Sequence, residues 1–291
     1  MNNTPLPSLF VSHGSPMIAI EPSPTLDFLR RLGPAIDATF GRPRAVLVVS
    51  PHTATREPVL LAAKRHAAVH DFGGFPSALY ELRYDAPGDP ALAERALALL
   101  QAAGIAAHTS TDGGLDHGIW TVLRHLWPDA DVPVLPLSLV PSASPAVQWA
   151  LGEALAPLAA QGVLMLGSGS LTHDLRRFFG GVRAALDAPA APDVVAFADW
   201  VAARVAAGDR QALLDYRRQA PHAVAQHPTD EHWLPFYVAA GAGGLAAPAV
   251  RLHDAVQHAA LAMDAYAFGA GAERLAQALG SGRPLVQASV T

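Results

Sequence analysis

The sequence predicts an α/β fold: one domain over residues 1–291, with a mixed, largely parallel central sheet and helices on both faces. Three observations carry this. Short apolar runs alternate with segments of helical periodicity along most of the chain. Some runs, above all Ala45-Val46-Leu47-Val48-Val49, are apolar on both faces, as in a parallel sheet covered on both sides. Two runs stop at a histidine and a turn-forming cluster, in Leu9-Phe10-Val11-Ser12-His13-Gly14-Ser15-Pro16 and in Val46-Leu47-Val48-Val49-Ser50-Pro51-His52. Ligands of open α/β sheets sit outside the carboxyl ends of the strands. Two histidines delivered there, joined by a third from elsewhere, predict a metal site at the sheet edge.

The elements follow in order. Residues 8–12 read as the first strand. Leu26, Leu29, Leu32 and Ile36 place a helix over 25–40. Strands are expected at 44–50 and 58–63, and a loop over 70–88, where Gly and Pro cluster. A helix over 90–103 has Pro90 near its start and Gly104 past its end. A weak strand at 105–109 precedes Gly113-Gly114-Leu115-Asp116-His117-Gly118, which opens a helix to about Leu126. Val132–Val140 reads as a strand that Pro133 and Pro136 push toward an edge. A helix over 145–160 leads to a strand at 162–166, which runs into a flexible Gly-Ser loop ending at His173. Helices are expected at 192–206, 209–218, 233–242 and 271–279, and a short strand at 250–252. The Ala/Pro-rich stretch 184–192 is the best linker candidate, and no internal repeat is present.

Composition narrows the function. Half the residues (51%) are apolar and 15% are charged, which excludes a disordered chain. The net charge is −5 with no basic block, so nucleic-acid and anionic-membrane partners have no electrostatic support. No run is pure enough to span a bilayer and no leader is legible, so a cytoplasmic protein is expected. Cysteine is absent, which excludes thiolate ligands. Metal ligands must then come from the 13 histidines and the carboxylates.

His13 and His52 share one context, the end of an apolar strand. His173 ends a third strand, where an imidazole can act as acid or base near neutral pH. The serines before it do not spell a Gly-x-Ser-x-Gly nucleophile elbow. In His227-Pro228-Thr229-Asp230-Glu231-His232, spacing alone does not choose among Asp230, Glu231 and His232 as ligands. Asp116 is placed to orient an imidazole, with His117 beside it. Ser15, His70 and His227 are candidates to line the substrate or brace the ligands. His66, His108, His125, His253 and His258 read as surface or helix-face residues.

Seven stretches, in order, resemble one family: Ser12-His13-Gly14-Ser15-Pro16, Val49-Ser50-Pro51-His52, His70-Asp71-Phe72-Gly73-Gly74-Phe75-Pro76, Tyr84-Asp85-Ala86-Pro87-Gly88, Leu115-Asp116-His117-Gly118, Gly167 through Leu175, and His227 through His232. Over about residues 8–255 the chain resembles the DOPA 4,5-dioxygenase-like branch of the class III extradiol ring-cleaving dioxygenases, the superfamily of the LigB catalytic subunit. The resemblance implies a non-haem divalent metal on His13, His52 and His232, with Glu231 as the weaker alternative. It implies His173 as the acid–base group and His117 as a second active-site histidine. The expected substrates are a small aromatic diol and O2, and the expected product is a muconic semialdehyde. Iron(II) is expected in the active form, and zinc in the same site of purified protein. The chain departs from the pattern at Pro51-His52-Thr53, where relatives carry a small residue before the histidine and Trp after it; the change bears on the substrate. A zinc-dependent hydrolase is the runner-up, because three histidines and a water also make a catalytic zinc site. Oligomeric state is not legible.

Overall fold

The computed structural model describes residues 5–179 and 184–280. The expected domain, 1–291, extends beyond these at both ends. Eight strands form one sheet: β1 (Ser8–Ser12), β2 (Ala45–Ala54), β3 (Val59–Leu61), β4 (His108–Ser110), β5 (Val134–Leu139), β6 (Val163–Gly169), β7 (Val250–His253) and β8 (Ala265–Phe268). Their spatial order is β4-β3-β5-β2-β6-β1-β8-β7. The central four, β5, β2, β6 and β1, are mutually parallel; β8 runs antiparallel to β1, and β3 antiparallel to β5. This is the expected mixed, largely parallel sheet.

The central strands are buried along nearly their whole length because helices cover both faces. Alternation sorts their side chains. Phe10, Leu47 and Val49 join a core with helices α2 (Pro90–Ala102), α4 (Pro145–Leu155), α5 (Pro192–Ala206) and α6 (Leu234–Gly243). Leu9, Val11, Val46 and Val48 join the opposite core with α1 (Pro24–Phe40), α3 (His117–Leu126) and α7 (Ala272–Leu279). Side-chain caps start several helices: Ser23 accepts from the Leu26 N–H, Asp89 from Leu92 and Asp116 from Ile119. No helix among the described residues is long and apolar enough to cross a membrane.

Five expectations need correction. Strand β5 is interior, between β2 and β3. The Val46 N–H donates to the Pro133 carbonyl, so in a parallel ladder Leu135 and Leu137 donate back to β2 and the Pro136 nitrogen faces β3. Strand β3 meets β5 only at Leu60–Leu137, so the missing donor breaks no extended ladder. Strand β8, over a stretch to which no element was assigned, is a further strand; its pairing with β1 overrides the local helix preference of its two alanines. The loop 70–88 holds a short helix at Ser77–Glu81 and a strand at Ala86–Pro87. The helix expected at 209–218 breaks at Asp215 into Arg210–Leu214 and Tyr216–Gln219. The stretch 184–192 is stitched to the body: Ala191 N–H donates to the Ala259 carbonyl and His258 N–H to that of Leu186.

Candidate metal centre

Strands β2, β6 and β1 are parallel neighbours, so their carboxyl ends lie side by side. His13 follows β1 directly, and its backbone N–H donates to the Gly169 carbonyl at 2.9 Å. His52 lies where the β2–β5 register shifts, between Ser50 and Ala54. Such irregularities re-aim side chains beside active sites. The Gly-Ser segment before His173 is not a flexible loop: Gly167-Ser168-Gly169 is buried strand, the end of β6. A Cβ at Gly167 would overlap the Pro235 carbonyl, and one at Gly169 the His232 carbonyl. Glycine is needed there so that the loop carrying His232 can lie on the strand.

Backbone and side-chain bonds fasten that loop. Ser170 N–H donates to the His232 carbonyl and His173 N–H to that of Gln226, each at 2.8 Å. The His227 Nε2–H donates to the Leu171 carbonyl at 2.7 Å, and Leu171 N–H donates to Ser12 Oγ at 3.0 Å. His227 is thus a buried brace, stacked on Trp233, and stands outside the cluster.

His13, His52 and His232 come together. Their ring centroids are 5.0–5.6 Å apart, and one nitrogen of each lies within 4.8 Å of the others. Their protonation can be worked out. Ser168 Oγ gives its single proton to the Gly118 carbonyl, so toward His13 Nδ1, 3.0 Å away, it accepts. His13 is therefore Nδ1–H. His52 Nδ1 faces Asp71 Oδ2 at 3.5 Å, and His232 Nδ1 faces Glu231 Oε1 at 3.2 Å. Carboxylates only accept, so these rings are Nδ1–H as well. All three Nε2 atoms are left with bare lone pairs. The Nε2 atoms of His13 and His52 meet at 3.3 Å, the spacing of adjacent ligands on one ion with bonds of about 2.1 Å. Two bare lone pairs at that distance repel unless a cation lies between them, so the residues fit a divalent metal.

Electrostatics agrees. Burial, then the neighbouring imidazoles, holds His13 and His232 well below the usual histidine range. Burial, then His117, lowers His52 to about 3. Burial lowers His173 to about 4. The cluster is therefore neutral at pH 7, the form that binds metal.

His173 stacks on His232, with centroids 3.4 Å apart and planes 11° from parallel, and its ring nitrogens make no hydrogen bond to the described residues. His117 packs against His52 at 3.9 Å. Its partner is Asp71, not the neighbouring Asp116. Asp71 Oδ1 accepts the His117 backbone N–H at 2.8 Å, and Oδ2 accepts Nδ1–H at 3.0 Å. Burial works to raise the Asp71 carboxyl, but the bonds from His117 outweigh it and leave it below the usual range. Asp116 instead caps α3 and accepts from Ser50 Oγ at 2.7 Å and Thr53 Oγ1 at 2.6 Å. Both hydroxyls flank His52, so Asp116 clamps the segment that presents it. Burial raises the Asp116 carboxyl despite these bonds. Thr53, the departure from the expected Trp, supplies one of them.

Ser15 caps a 3-10 turn by accepting from the Met17 N–H. His70 bonds the Leu82 carbonyl and packs on Trp120, while Phe72 meets His117 edge-on at 5.6 Å. None of His66, His108, His125, His253 or His258 joins the cluster. Of these, His66 and His258 are buried rather than on the surface, and His258 Nδ1 bonds the Ala184 carbonyl. Sequence reasoning assigned no role to Asp71, Ser50, Thr53 or Ser168, although Asp71, Ser50 and Ser168 lie within the quoted stretches and Thr53 marks the departure from the pattern.

Gly118 offers a test of the packing. A Cβ there would lie 2.5 Å from Ser50 Oγ and 3.0 Å from the His13 ring. Gly118→Ala should displace His13 and weaken zinc binding about 10–100-fold, the usual effect of disturbing the groups that orient a ligand. Competition with a chromophoric chelator reads the affinity; an unchanged value would mean that the ring is not held in this way.

The family described as the catalytic LigB subunit of aromatic ring-opening dioxygenase matches residues 7–269. A 4,5-DOPA dioxygenase extradiol of Beta vulgaris is 36% identical, over 90% of this chain and 96% of that one. A protein of the same name from Escherichia coli K12 is 36% identical, over 83% and 87%. A crystal structure of an uncharacterized protein from Escherichia coli K12 superimposes with a TM-score of 0.72 at 30% identity, covering 91% of this chain and all of that one. The chain therefore belongs to the LigB family of aromatic ring-opening dioxygenases, and within it to the extradiol branch that holds these relatives.

Proposed function

We propose that the protein is a non-haem iron(II) extradiol dioxygenase that opens the ring of a catechol with O2 to a muconic semialdehyde, with His13, His52 and His232 holding the metal. The observation that carries this is the pair of unprotonated Nε2 atoms facing each other at 3.3 Å beside a third neutral imidazole. Iron(II) held there would chelate the diol, lower its hydroxyl pKa and pass electrons from it to O2. The chain's own side chains do the rest. Neutral at pH 7, His173 takes the remaining hydroxyl proton and returns it as the ring opens. His117, with Nδ1–H spent on Asp71, keeps an unprotonated Nε2 that can accept a hydrogen bond from the substrate or a proton from the reacting oxygens. Phe72 gives the aromatic ring an apolar neighbour beside His117. The names of the relatives from Beta vulgaris and Escherichia coli support a DOPA-like catechol as substrate.

The test is oxygen uptake by protein loaded anaerobically with iron(II), against a panel of catechols. Uptake and a yellow semialdehyde chromophore are expected with iron. Zinc should fill the same site and leave the protein inactive, since zinc is redox-silent. Full ring cleavage by a rigorously iron-free zinc form would overturn this reading.

A further inference from the structure

We propose that Asp71 is the positioning residue of this centre: a single carboxylate fixes the ring of His117 in one tautomer and steadies the metal-ligand candidate His52. The inference rests on the function proposed above. Asp71 lies outside the strand ends, in the turn after His70. It holds His117 at two points, the backbone N–H at 2.8 Å and Nδ1 at 3.0 Å. The same Oδ2 lies 3.5 Å from His52 Nδ1. One oxygen therefore faces two imidazole N–H groups, on the two rings that pack 3.9 Å apart. With Nδ1 protonated, the His117 Nε2 is unprotonated and has no hydrogen-bond partner among the described residues. It is then an acceptor, aimed away from Asp71. A ring lacking this anchor would populate both tautomers and more than one rotamer.

Asp71 could be read instead as a ligand, because His52, Asp71 and His117 offer three donor atoms within 4.8 Å. The hydrogen bonds argue against that: both carboxylate oxygens already accept N–H protons from His117. The imidazole nitrogens facing Asp71 are the protonated ones, which bind no metal.

Asp71→Asn separates position from charge. The His117 backbone N–H cannot turn round, so the Asn carbonyl must stay on it. The Asn amide N–H2 then faces Nδ1, where it can only donate, and the ring must move its proton to Nε2. The first readout needs no activity. Protein labelled with 15N-histidine and loaded with zinc is examined by long-range 1H–15N correlation, with His117→Gln to assign the ring. Wild type should be Nδ1–H at His117, and Asp71→Asn should be Nε2–H. Zinc stoichiometry should stay at one per chain in both. In the iron form, kcat should fall at least about 10²-fold with KM for catechol little changed, and Asp71→Glu should recover part of the loss. A wild-type ring protonated at Nε2 would overturn the proposal, even if no variant folds. So would an Asp71→Asn protein with unchanged kcat, or a loss that follows the unfolded fraction alone. Two zinc ions per chain, falling to one in Asp71→Asn, would make Asp71 a ligand. If wild type shows no oxygenase activity, the function fails while the tautomer measurement still decides the role of Asp71.

Discussion

His13→Ala is expected to lose the metal, and all turnover with it. His13 is 1% exposed and stands within 6 Å, centroid to centroid, of the rings of His52, His117 and His232. Two imidazoles would remain, on segments that no longer face a third donor. Iron content after desalting should drop below about a tenth of an equivalent, in line with the loss of one of three protein ligands. Oxygen uptake should fall to background. The fold should survive. The strand bonds of β1 to β6 and β8 are backbone bonds, and alanine keeps them. Removing the ring leaves Ser168 Oγ without one of its two partners, a cost of about 1–3 kcal/mol. Melting of the metal-free proteins separates the two effects. An iron-replete, active His13→Ala protein would remove this site from consideration.

His173→Ala should behave in the opposite way. Its metal content and catechol binding should stay near wild type, while turnover falls about 10²–10⁴-fold, the range for a lost general acid–base group. The geometry explains why binding should survive. The bond that fastens this segment runs from the His173 backbone N–H to the Gln226 carbonyl, and alanine retains it. The ring itself only stacks on His232, whose orientation is also set by Glu231 at Nδ1. A purely structural role predicts lower melting with full activity in the folded fraction. Iron content, melting and oxygen uptake on the same samples distinguish the two.

Much of the centre was legible because strand ends are legible. An apolar run that stops at a histidine and a turn names both the strand and the residue it delivers, and His13 and His52 were read in this way. His232 was not separable from Asp230 and Glu231 by spacing, since a side chain on a loop is placed by the surface it lies on. That surface is the glycine-cleared end of β6, and the same glycines made the strand look like a flexible loop. Asp116 and Asp71 show a related failure. Its place in the sequence pointed to Asp116 as the group that orients an imidazole, but an N-cap carboxylate turns to its own helix and to the hydroxyls across from it. The true partner of His117 arrived from a distant turn. In the sheet, the prolines of β5 were correctly seen as lost donors, but which neighbour those donors would have faced is a matter of register.

The place of β1 bears on how the protein is made. The first of the described strands is seated between β6 and β8, two of the later ones in the sheet. A nascent chain cannot close the sheet around it until residues through Phe268 have emerged, and such long-range closure is slow. His13 and His232, more than two hundred residues apart, meet only after the chain beyond β6 has been made. Fragments that stop short of His232 therefore lack one of the three candidate ligands, and on the proposed function metal loading would follow synthesis of that segment. A metal held on these histidines would act on the folding equilibrium by mass action: at a hundredfold excess over its Kd it would add about 2.7 kcal/mol to the native state alone. On the proposed function, shortage of the ion would then leave a pool of this enzyme that is less stable and more open to proteolysis as well as less active.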